Sequence, residues 1–161
     1  MRLALTLIAF GILAMPATTH AQTWEEYRPD GIGFRIEMPG KPKLETQSTR
    51  GGNKAYHASV GMRNMAFVVM YGDKDDKPLD ADRLLDAAVK GMTDDKKVLS
   101  SKKDMIGGLS ARRVLVEDAD KDNIEARIVI ANGRLIQAIF VGPARNATGR
   151  RFLDSLAVVE P

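Results

Sequence analysis

The sequence predicts an α+β fold, an antiparallel sheet of about six to eight strands covered by helices. Three observations predict it. Short runs of alternating apolar and polar residues recur along the chain, each bounded by Gly, Pro or Asn. Asn132-Gly133 stands between two β-branched, apolar runs, the signature of a tight hairpin and hence of antiparallel pairing. One long segment, following Asp80, has apolar residues at helical spacing, so a helix is inserted between two groups of strands rather than alternating with them.

The first element is a leader. Met1-Arg2 supplies a positive start, Leu3 to Met15 is an apolar run broken only by Thr6 and Gly11, and Pro16 ends it. Thr19-His20-Ala21 then places small residues three and one positions before a cut ahead of Gln22, the pattern of a cleavable signal peptide. The 13-residue run reaches about 20 Å as a helix, short of the ~30 Å hydrocarbon core. The expectation is a signal peptide over 1–21 and a single domain over 22–161, periplasmic or secreted, with no transmembrane anchor after cleavage. No cysteine follows the apolar run, which excludes a lipid anchor.

Phe34, Ile36 and Met38 alternate with Arg35 and Glu37, a half-buried strand between the turns Pro29-Asp30-Gly31 and Pro39-Gly40-Lys41-Pro42. Lys43 to Thr49 is polar, as an edge strand tolerates. Gly51-Gly52-Asn53 turns into a strand from Ala55 to Met62, and Arg63-Asn64 into a more apolar one from Met65 to Tyr71. Pro78 and the capping residue Asp80 announce the helix, with Leu84, Leu85, Ala88, Val89 and Met92 on its core face. Val98 to Lys103 is a weak strand pattern ahead of Gly107-Gly108. Arg112 to Glu117, Ile124 to Ala131 and Leu135 to Val141 are stronger ones. Asn146 caps a short second helix carrying Phe152, Leu153 and Leu156, before a last run from Ala157 to Val159.

Composition excludes several chemistries. The chain of 161 residues has no cysteine, two histidines and a formal charge of +3. Arg2 and His20 lie in the leader, so the remainder keeps His57 alone and a smaller positive balance. Thiol catalysis, disulfides and paired-histidine mechanisms are absent. The export signal, the slight charge and the few aromatics argue against nucleic acid. No G-x-S-x-G elbow occurs, and the serines have only His57 as a base. A glycosidase needs two carboxylates that need not be close in sequence, but one Trp makes a poor sugar cleft.

Trp24, Tyr27 and the run Asp30-Gly31-Ile32-Gly33-Phe34-Arg35-Ile36-Glu37-Met38-Pro39-Gly40-Lys41-Pro42 resemble the opening of small exported bacterial proteins of the PsbP-like superfamily. Ile106-Gly107-Gly108, Asn132-Gly133-Arg134-Leu135, Phe140-Val141-Gly142-Pro143 and Arg151-Phe152-Leu153-Asp154-Ser155-Leu156 continue the resemblance over nearly all of 24–159. It implies an α/β/α sandwich. Members include a photosystem II extrinsic subunit and a nuclear-import factor that binds a small GTPase, so it also implies an accessory or binding role. It carries over no catalytic residue.

Asp118, Asp120 and Asp122 take the first, third and fifth positions of a calcium-loop pattern, with Asn123 suited to the left-handed sixth. Position twelve is Val129 rather than Glu, and Lys121 adds a competing charge, so a solvated hairpin tip is the stronger reading. Asp73, Asp75, Asp76, Asp80 and Asp82, interleaved with Lys74 and Lys77, match no metal loop and suit a polar loop leading into a helix. His57 with Met62, Met65 and Met70 offers copper-type ligands, though methionine more often fills cores. Lys96-Lys97, Lys102-Lys103, Arg112-Arg113 and Arg150-Arg151 are basic pairs whose members point to opposite faces if they lie on strands.

The expectation is a soluble, exported, non-enzymatic binding or accessory protein of the bacterial envelope, without cofactor, whose partner is a protein or an envelope component. The alternatives are a small-ligand or calcium module and an uncharacterised hydrolase. The first needs an exposed contiguous apolar or basic patch, the second a pocket with convergent polar groups, the third titratable groups converging in a cleft.

Overall fold

The computed structural model describes residues 22–49, 51–76 and 80–161. The expected leader and its cleavage site, together with Lys77 and Pro78, lie outside the described residues. In chain order the elements are β1 (Glu25–Tyr27), β2 (Phe34–Met38), β3 (Lys43–Ser48), β4 (Lys54–Met62), β5 (Met65–Gly72), α1 (Ala81–Thr93), β6 (Lys97–Ile106), β7 (Leu109–Glu117), β8 (Asn123–Ala131), β9 (Arg134–Gly142), α2 (Ala147–Asp154) and β10 (Ala157–Val158).

Seven strands form one antiparallel sheet in the order β3-β4-β5-β9-β8-β7-β6. Each half of the chain makes a meander, and the two meanders join where β5 pairs with β9. The turn between β8 and β9 is built as the sequence demands: Asn132 and Gly133 both take positive φ, 51° and 72°. The remaining strands form a small sheet, β1-β2-β10. The alternation in Phe34–Met38 therefore does mark a strand, but that strand belongs to a separate layer and not to the main sheet.

Two cores result. On one face Phe67, Val69, Ile136, Ala138 and Phe140 meet Phe34, Ile36 and Met38 of β2 and Phe152, Leu153 and Leu156 at α2. Phe67 sits 5.2 Å from Phe140 and 5.4 Å, edge-on, from Phe152 between ring centroids. On the other face Val114, Val116, Ala126 and Ile128 meet Leu85 of α1. Covering on both sides explains why Ala126 to Val129 is buried without a break. Helices lie on opposite faces, giving the α+β sandwich.

Both helices start as their caps require. The Asp80 carboxylate accepts from Arg83 N at 3.1 Å, and Asn146 Oδ1 accepts from Gly149 N at 3.0 Å. β3 is an edge strand, exposed along its length. The weak pattern near Val98 turns out to be the ten-residue β6, the opposite edge. Among the described residues no helix is long and apolar enough to cross a membrane.

Candidate functional site

The Arg112 side chain fixes where α1 lies. It projects from β7 and is buried. Its Nε donates to Asp86 Oδ1 at 2.8 Å and its Nη2 to Asp82 Oδ1 at 2.9 Å, while Nη1 donates to the Ala111 carbonyl at 3.0 Å. These hydrogen bonds, Asp86 first, hold its pKa above the ordinary arginine value, so the clamp is always charged. Anchored there, α1 packs on β7 and β8.

The same sheet face continues past the helix over β9, β5 and β4. Val68, Met70, Leu135, Ile139 and Val141 lie there only half-buried, with Gln137 and His57 as the polar members. Register carries the row Glu45, His57, Met70, Gln137, Ile128 across β3, β4, β5, β9 and β8. Two adjoining grooves flank α1. One, of about 430 Å³, is lined by Ala55, Gly72, Leu84, Ala87 and Ile130 among others. The second, of about 500 Å³, is lined by Met70, Gly91, Met92, Ile124, Ile139 and Val141 among others. Ala88 and Leu135 line both. The sequence leaves this space because Ala87, Ala88 and Gly91 give the helix flank little bulk. Leu84, expected in the core, is 40% exposed and belongs to the groove.

Polar groups sit at the groove ends. Asp73 ties β4 to β5: its carboxylate accepts from Lys54 N at 2.7 Å and from Tyr56 Oη at 3.3 Å. Asp75 N donates to the Gly133 carbonyl at 2.8 Å. A β-carbon at Gly133 would lie 2.8 Å from the Asp75 carbonyl oxygen, so the glycine permits this closure as well as the turn. Lys96 marks the other end.

Apart from Arg112 and from Tyr56, whose hydroxyl reaches Asp73, the groups with displaced pKa values lie elsewhere. Burial, with the hydrogen bond to Tyr71, pushes Tyr27 up inside the aromatic cluster. Burial also raises Tyr56. At the β3 edge the Lys43–Glu45 hydrogen bond raises the lysine and lowers the acid. Asp104 and Arg113 belong to a second arginine network beneath α2. There the buried Arg127 donates Nε to Asp104 Oδ2 at 2.8 Å and Nη1 to the Leu153 carbonyl at 3.2 Å. Arg113 bridges Glu125 at 2.8 Å and Asp154 at 2.9 Å.

Asp118, Asp120 and Asp122 occupy the tip between β7 and β8. Asp118 Oδ1 accepts from Asp120 N at 3.0 Å and Asp122 N at 2.9 Å, so it closes the turn on itself. The left-handed residue is Lys121, φ 64°, not Asn123, which begins β8. Among the described residues no three His, Asp or Glu side chains are grouped to hold a metal ion. The acidic run before α1 is dispersed: Asp73 ties strands, Asp80 caps the helix and Asp82 grips Arg112. His57 and Met70 are cross-strand neighbours, but Met62 and Met65 pair with each other on the opposite face, so the sheet divides the copper-type set. The Arg112-Arg113 pair splits as expected, one side chain to α1 and the other to α2. Arg151 stacks on Trp24, its guanidinium carbon 4.1 Å from the ring centroid. The sequence marks Arg127 only as a cation within a β-branched run.

No family model matches the sequence, and no curated protein matches it at a significant level. The fold is similar to the solution structure of cyanobacterial PsbP (CyanoP) from Synechocystis sp. PCC 6803, with a TM-score of 0.54 and 14% identity. The match covers 92% of this chain and 99% of that one. The fold is thus PsbP-like, as the turn motifs suggested.

Proposed function

We propose that this PsbP-like chain is an exported, non-enzymatic binding or accessory protein of the bacterial envelope, and that its partner docks on the open sheet face beside α1. The observation carrying this reading is the half-buried apolar surface from Leu84 to Val141, which one helix covers only in part. Its apolar lining suits an apolar segment of another protein. The leader pattern of residues 1–21 supports export, and the accessory roles within the PsbP-like superfamily are in keeping with it.

A photoreactive residue placed at Gln137, in intact cells, tests the proposal. The expected result is one discrete cross-linked partner that disappears in Met70→Glu or Ile139→Glu, with the variants' far-ultraviolet circular dichroism unchanged. Equal capture from a probe at Glu45, outside the grooves, overturns the location. Amino-terminal sequencing of the protein recovered from the periplasmic fraction tests export: a start at Gln22 is expected, and retention of Met1 in the cytoplasm refutes it.

A further inference from the structure

β6 ends the large sheet, and among the described residues no strand pairs with its outer side. Its pairing with β7 is irregular between Val98 and Ser100 and regular from Ser100 to Ile106. Native sheets rarely leave a long edge unguarded, and lysines are a common guard. Here the guards also lie beside other cations. On the α2 face, register aligns Lys102 with Arg113 and Arg113 with Arg127. On the α1 face it aligns Lys103 with Arg112. Like charges directly opposite one another are unfavourable. The inner arginines are answered: Arg127 by Asp104, Arg113 by Glu125 and Asp154, and Arg112 by Asp82 and Asp86. Lys102 and Lys103 make no ion pair among the described residues.

We propose that β6 is a docking edge for an acidic, extended segment of another protein, which adds to the sheet with adjacent acidic residues opposite Lys102 and Lys103. Main-chain hydrogen bonds to the free edge supply the affinity in such strand addition, and alternate side chains supply the specificity. Because neighbouring residues point to opposite faces, two adjacent acids face Lys102 and Lys103 at once. Exposed apolar residues flank the lysines, Val98 and Leu99 on one side and Met105, 59% exposed, on the other. The matching segment therefore carries apolar residues on either side of its acid pair. A second copy of β6 is a poor occupant, since antiparallel pairing centred on the lysines sets Lys102 against Lys103. The site is separate from the groove beside α1, so either reading can fail alone.

The probe is a synthetic ten-residue peptide of alternating Thr and Val around a central Glu-Glu, with a Lys-Lys version as control. Nuclear magnetic resonance of the ¹⁵N-labelled protein is expected to show shifts confined to β6 and β7 and slowed amide exchange at Ser100–Met105 on adding the Glu-Glu peptide. The variant Lys102→Glu/Lys103→Glu is expected to lose that binding by about tenfold or more and to bind the Lys-Lys peptide instead. The neutral pair Lys102→Gln/Lys103→Gln is expected to fall between the two. Absence of binding at millimolar peptide, shifts centred elsewhere, or indifference to charge reversal overturns the proposal. So does binding of phosphatidylglycerol vesicles through these lysines without any amide protection from the peptide, which assigns the edge to a membrane surface.

Discussion

Gly149 lies so close to the ring of Phe140 that a β-carbon at position 149 would stand 2.5 Å from Cε1. The ring has no room to retreat, because it is buried against Phe67 and α2. The same glycine donates its amide to the capping oxygen of Asn146. Gly149→Ala gains about 1 kcal/mol of helix propensity, but overpacking of a filled core costs about 1–3 kcal/mol. The expected outcome is net destabilisation, larger for Gly149→Val, read from urea midpoints. A variant as stable as the parent would mean that the Phe140 ring yields.

The Arg112 clamp is asymmetric. The guanidinium is buried, whereas the side chains of Asp82 and Asp86 are 63% and 67% exposed. Arg112→Met leaves two carboxylates that water solvates freely, so the loss is small, within ~1 kcal/mol. The double change Asp82→Asn/Asp86→Asn leaves a buried cation without a counter-charge. It should cost about 2 kcal/mol, below the 3–5 kcal/mol of a fully buried pair because water still reaches the site. Urea unfolding of both variants checks the order, and the reverse order refutes the account.

Turns and caps were legible because each depends on one residue's local chemistry: Asn132-Gly133 for positive φ, Asp80 and Asn146 for free helix amides. Placement was not. The alternation of Phe34–Met38 is the same whether the strand joins the main sheet or crosses over it, and its partners β1 and the distant β10 decide, the latter through Ala157 paired with Arg35. β6 is faint in the sequence because an edge strand has no face that must be apolar. The open groove was illegible for the opposite reason. Val68, Met70 and Ile139 look like core in sequence, and their half-exposure follows from where Arg112 parks α1.

The loop from Asp118 to Asp122 makes a separate prediction. Asp118 Oδ1 already serves two amides. Asp118→Ala should therefore cost about 1 kcal/mol, as a lost capping oxygen does, with or without calcium. Millimolar calcium should leave the melting temperature unchanged and give no heat in calorimetry. A calcium-dependent rise in melting temperature that Asp118→Ala abolishes would make the loop a cation site instead.

Asp104 predicts a pH dependence whose sign can be worked out. Burial pushes its pKa up, but hydrogen bonds from Arg127 and the Met105 amide, with the charges of Arg127 and Arg113, outweigh that and leave it below the ordinary aspartate value. A carboxylate whose pKa is lower folded than unfolded binds fewer protons in the native state. Its contribution is fully present above the unfolded value near ~3.9 and is lost as pH falls through the folded one. Asp104→Asn should cost about 2 kcal/mol at neutral pH, the worth of a hydrogen bond to a charged group. The other acids are common to both proteins and cancel in the comparison. Arg127 keeps its carbonyl acceptors at Leu153 and Met105 in both. The stability gap should therefore stay constant down to about pH 5, shrink below about pH 4, and close once Asp104 is protonated and resembles Asn. Urea midpoints across this range measure it. A gap that persists undiminished in acid would mean that the pairing with Arg127 contributes through packing rather than through charge.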